Sequence, residues 1–97
     1  MPFENQITLA FTFASVRKNA PPQSGVYGLA SAAEWILVGE SGDIQSQLLQ
    51  HLQESGTFLK GRKPTGFTFE LCAPAGRIAR QDSLVRELEP VCNRGSR

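Results

Sequence analysis

Two short, mostly apolar runs, Gly25 to Ala30 and Trp35 to Gly39, stand on either side of Ser31-Ala32-Ala33-Glu34. Runs of this length, joined by a brief polar tip, lack the span and the 3.6-residue period of helices and instead predict a β-hairpin. Once the chain is committed to a hairpin, its remaining apolar residues must cover that small sheet. The second run is apolar on both faces, which predicts a central position in the sheet.

Outside the hairpin, the periodicity changes character several times. Ile7, Leu9, Phe11 and Phe13 alternate with Thr8, Ala10, Thr12 and Ala14, the pattern of a strand with one buried face. Arg17 to Ser24 carries a Pro pair and polar residues and reads as a loop. Ser41-Gly42-Asp43 offers capping side chains for a helix running to about Glu54, with Ile44, Leu48 and Leu52 as its apolar stripe. Thr57 to Gly66 reads as a loop, and Phe67, Phe69 and Leu71 alternate as a further strand. Arg77 to Glu89 forms a second helix, with Ile78, Leu84, Val85 and Leu88 turned inward and Pro90 as its stop. The expected fold class is therefore α+β, a small and mostly antiparallel sheet of three to four strands flanked by helices.

Ninety-seven residues accommodate a single domain, 1–97, and 40% hydrophobic residues suffice for a modest core. Lys and Arg number 10 against 9 Asp and Glu, so no global field draws a polyanion, and nucleic-acid binding would need a local cluster. Two cysteines, Cys72 and Cys92, and one histidine exclude a structural zinc site. The sequence contains no Gly-rich phosphate loop followed by Lys, no Ser–His–Asp set and no metal-ligand cluster. The longest apolar run is too short for a membrane, and the chain reads as cytoplasmic with no membrane partner.

Several spaced residues resemble the GIY-YIG nuclease family. Gly25-Val26-Tyr27 resembles its first signature and Leu37-Val38-Gly39 its second, at the family separation. Ser41, Asp43 and Ile44 fill the places that follow the second signature. His51 falls where the first family helix carries a histidine, and Pro90-Val91-Cys92-Asn93 resembles the Pro-x-x-Asn ending. The resemblance spans a core of residues 22–93 and leaves residues 1–20 as an extra N-terminal strand and loop. It implies hydrolysis of DNA or RNA phosphodiesters with one Mg²⁺, the cofactor expected if the site is active. In that scheme Tyr27 helps to activate water, a helix arginine steadies the phosphate and a glutamate of the last helix holds the metal. Here the second tyrosine position is Leu37, the arginine position is Gln47 and the glutamate position is Gln81. An amide cannot neutralise a phosphate and is a poor Mg²⁺ ligand.

The candidate catalytic positions are thus Tyr27, His51, Gln47 and Gln81, with no metal-ligand set. Each also has a plainer reading. Tyr27 is either a water-activating group or a half-buried strand tyrosine, and His51 is either its proton acceptor or a satisfied boundary residue. The two glutamines either form a polar pocket or are hydrogen-bonding remnants. Lys60, Arg62 and Lys63 either contact nucleic-acid phosphates or are a solvated loop. Arg77, Arg80 and Arg86, interleaved with Asp82, Glu87 and Glu89, read as a solvated helix face. The resemblance implies a nuclease-type domain with weakened or lost hydrolysis. The alternative is a protein-interaction or structural module, with a homodimer built through the N-terminal strand.

Overall fold

A computed structural model describes residues 8–32, 34–53 and 63–94. In chain order the elements are β1 (Leu9–Ala10), α1 (Phe13–Asn19), β2 (Gly25–Ala30), β3 (Trp35–Ser41), α2 (Ile44–Gln53), β4 (Gly66–Leu71), a 3₁₀ turn (Pro74–Gly76), α3 (Arg77–Leu88) and α4 (Val91–Arg94). The strands form one antiparallel sheet in the order β1-β4-β2-β3. The β2–β3 hairpin forms as expected, in a register that sets Tyr27 opposite Gly39 and Val26 opposite Glu40.

Alternation along the strands divides the core into two layers. One face buries Tyr27, Leu29, Leu37 and Phe67 with Val16 of α1 and Ile44 and Leu48 of α2. The other buries Val26 and Val38 against Leu84 of α3, with Val85 and Leu88 packed alongside. β3 was expected at the centre of the sheet and is instead an edge strand. Its two apolar faces report helices above and below it, which says nothing about neighbours in the plane. The open edge is met by Asn93, whose side chain accepts from Val38 N–H at 2.8 Å and donates to Val38 C=O at 3.0 Å. Asn93 thereby occupies the hydrogen-bonding positions that a further strand would use.

The expected long N-terminal strand is the second correction. Among the described residues Leu9–Ala10 pair with β4, and the chain then turns into α1, so Phe11 and Phe13 do not continue the strand. Ile7 lies outside the described residues. The Thr12 side chain accepts from Ser15 N at 3.1 Å and caps the helix, while Val16 and Ala20, four residues apart, are buried beneath it. Gln45 of α2 donates to the carbonyls of Arg17 and Ala20 and fastens the end of α1.

The two longer helices lie where the sequence places them. Asp43 caps α2 by accepting from Ser46 N at 2.9 Å. α3 ends where Glu89 adopts a left-handed conformation, φ 48°. Ile78, expected inward, is 63% exposed. In this first turn of α3 it is Arg77 and Arg80 that meet the sheet, through Glu40 and Glu70. Among the described residues, no helix is long and apolar enough to cross a membrane.

Candidate active site

β2 presents Tyr27 to the layer containing α2, and its ring crosses the backbone of Gly39 on the paired strand. A side chain at Gly39 would collide with that ring: a Cβ would overlap the Tyr27 hydroxyl and lie 2.6 Å from Cζ. Glycine is required here by close approach rather than by backbone torsion. Beyond Gly39 the hydroxyl meets His51 Nε2 at 2.8 Å, with ring centroids 5.5 Å apart. Both residues are only 4% exposed. Removal from water disfavours the phenolate, and the charge of Glu40 adds to the effect, so the Tyr27 pKa is pushed well above its ordinary value. The phenol therefore stays protonated at neutral pH and shares a buried hydrogen bond with Nε2.

The glutamines are not drawn into this bond. Gln47 lies one turn before His51 on α2 and is half-buried. Gln81 is also half-buried, on α3, the helix that packs against the opposite face of the sheet. Among the described residues no hydrogen bond joins either amide to Tyr27 or His51. Leu37 is buried in the same apolar cluster as Tyr27 and supplies packing where a second hydroxyl would have stood. Lys63 is exposed beside β4, and Lys60 and Arg62 lie outside the described residues.

A polar cluster that sequence reasoning missed lies on the α3 face. Glu40 on β3 and Glu70 on β4 flank Val26 of β2, since both pair with it in register. Arg77 approaches Glu40 at 2.8 Å, and Arg80 makes a two-pronged contact with Glu70 at 2.8 and 2.9 Å. Arg77 also donates to Ser24 Oγ at 3.2 Å, and Ser24 Oγ donates to Cys72 C=O at 2.8 Å. Arg77 and Arg80, read from sequence as part of a solvated face, are instead the residues that dock the first turn of α3. The signal was present in two glutamates at inward strand positions opposite arginines three apart. These charges serve each other on the side of the sheet away from the Tyr27 hydroxyl.

No known family model matches the chain, and no curated protein does. Solved structures do. The N-terminal GIY-YIG endonuclease domain of UvrC from Thermotoga maritima, bound to magnesium, has a TM-score of 0.68 at 18% identity, covering 80% of this chain and 94% of that one. A tyrosine-to-phenylalanine point mutant of that domain, bound to its catalytic divalent cation, gives 0.68 and 18% over 80% and 93% of the two chains. An asparagine-to-alanine point mutant gives 0.67 and 17% over 79% and 92%. The chain has the GIY-YIG fold.

Proposed function

We propose that this domain is a divergent GIY-YIG nuclease-type module that acts on or binds nucleic acid, with phosphodiester hydrolysis weakened or lost. The observation that carries this reading is the buried Tyr27–His51 hydrogen bond of 2.8 Å, formed between two positions that resemble the family site. At the positions where the family resemblance expects an arginine and a glutamate this chain carries amides, Gln47 one turn before His51 and Gln81 on the helix of the opposite sheet face. Cleavage of this kind depends on charges placed where negative charge develops on the phosphate, and neutral amides supply little of that stabilisation.

The position that the family resemblance assigns to the metal-holding glutamate is Gln81 here, and a neutral amide is a poor Mg²⁺ ligand. Among the described residues no group of three His, Cys, Asp or Glu side chains is placed to hold a metal ion. The nearby carboxylates Glu40 and Glu70 are engaged by Arg77 and Arg80. What the chain's own residues can do is hold a proton between Tyr27 and His51 in a site shielded from water, a positioning pair without its electrostatic complement.

The test is to assay cleavage of single-stranded and duplex DNA and RNA with Mg²⁺ or Mn²⁺, using the natural chain and the Gln47→Arg/Gln81→Glu variant. The natural chain should cut slowly or not at all, and the variant should gain metal-dependent cutting that Tyr27→Phe then removes. Equal, fast cleavage by the natural chain and the variant would overturn the reading of a blunted site. Absence of both binding and cleavage on every substrate would overturn the assignment to nucleic acid.

A further inference from the structure

α1 is the element the sequence pattern did not foresee, and its outer face is chemically distinct. The seven residues Phe13–Asn19 contain no acid, and between Glu4 and Glu34 the chain holds no Asp or Glu at all. Val16 and Ala20 are buried and Gln45 ties down the helix end, so the outward direction of the helix is fixed. Phe13, one turn from Arg17, points outward with 41% of its surface exposed. The Arg17 guanidinium lies 5.8 Å from the centre of that ring, and Lys18 is exposed beside it. Lys63 belongs to the same region: Phe11 N–H donates to Thr65 C=O at 3.0 Å, and Phe11, Leu52, Lys63 and Pro64 line one shallow depression.

Charge on the rest of the molecule is disposed differently. Arg77 and Arg80 are matched by Glu40 and Glu70, and Arg86 is interleaved with Asp82, Glu87 and Glu89 on α3. Arg17, Lys18 and Lys63 form no ion pair with a described residue. The face of the sheet that carries α1 also carries Tyr27 and His51.

Resting on the nucleic-acid reading above, we propose that the outward face of α1 is a docking surface for single-stranded nucleic acid, taking a base on the Phe13 ring and backbone phosphates at Arg17, Lys18 and Lys63. An exposed ring with a guanidinium over it suits an unpaired base, which can stack on the guanidinium plane or displace it from the ring, whereas a duplex hides its base faces within its own stack. Cations that form no ion pair with a described residue suit the phosphates that follow that base.

Fluorescence anisotropy of the full chain with a labelled oligothymidylate, and with a duplex of equal length, tests this across a salt series. The single strand should bind more tightly, with a slope of log affinity against log salt of about −2 for three contacts. Phe13→Leu, which keeps an apolar side chain without the ring, should weaken single-strand binding about tenfold. Arg17→Glu/Lys18→Glu should reduce the slope by about 1.4. Arg86→Glu on α3 should change nothing, and circular dichroism melts of all variants establish that each is folded. If the natural chain binds and the α1 variants bind equally well, the α1 assignment fails while the nucleic-acid reading stands. Equal preference for the duplex, or equal competition by poly-glutamate, also overturns it. No binding by the natural chain to either probe overturns both.

Discussion

Replacing Asn93 by Ala removes two hydrogen bonds at once, the 2.8 Å bond from Val38 N–H and the 3.0 Å bond to Val38 C=O. Each contributes about 1 kcal/mol net, but truncation also leaves a peptide group without partners beside Val38, a residue 1% exposed. Such a group costs about 1–3 kcal/mol when water cannot fully replace the lost partner. Asn93 itself is half-buried, so water recovers part of that cost, and the expected loss is about 2–4 kcal/mol. A domain of this size would melt roughly 10–25 °C lower. Urea unfolding supplies the free energy, and amide exchange at Val38 reports the site directly: the natural amide should be protected and the variant's should exchange far faster. Asn93→Asp keeps the acceptor but sets a carboxylate against the Val38 carbonyl, so it should be at least as damaging. A loss below about 0.5 kcal/mol, the level of an unremarkable surface change, with Val38 protection unchanged, would refute the claim that this amide closes the sheet edge.

Because the Tyr27 pKa is raised in the folded state above its ordinary value of 10.0, only the unfolded chain releases that proton as pH first rises past this value. Stability should be flat below that pH and fall above it by about 1.4 kcal/mol per pH unit, a component that Tyr27→Phe eliminates. Since this is the sole tyrosine, phenolate absorbance reads it directly, and ordinary titration in the folded protein would contradict the burial. Gly39→Ala should cost about 1–3 kcal/mol by pushing on the Tyr27 ring, and less in a Tyr27→Ala background, as double-mutant unfolding would show. Leu84→Ala should cost about 2–5 kcal/mol and Ile78→Ala under about 0.5 kcal/mol, and equal effects on urea midpoints would mean that α3 is rotated.

The legible parts of the fold were those in which local pattern and burial agree. The hairpin, the Asp43-capped α2 and the strand through Phe67 could each be read from a short window, because one face of each meets apolar core. The misreadings arose where tertiary structure decides. Phe11 and Phe13 continue an alternation begun by Leu9, yet Thr12 caps a helix whose buried partners, Val16 and Ala20, become visible only at a spacing of four. β3 carries apolar residues on both faces because helices cover it above and below, so its composition could not tell an edge from a centre. Ile78 was assigned inward by hydrophobicity alone. The structure turns Arg77 and Arg80 toward the sheet instead, because Glu40 and Glu70 await them there.

The same distinction governs what the motif resemblance means for the site. Matching positions have structural work in this chain: Gly39 makes room for a ring, Asp43 caps α2, Ile44 is fully buried and Asn93 closes the β3 edge. Departing positions are those whose charge or hydroxyl the family's chemistry uses. Leu37 is core, while Gln47 and Gln81 form no bond to the Tyr27–His51 pair. Tyr27 and His51 match as well, but a buried phenol and a buried imidazole already serve each other as hydrogen-bond partners. Folding energetics alone therefore accounts for that pair, whereas at the two glutamines the fold itself makes no demand for charge.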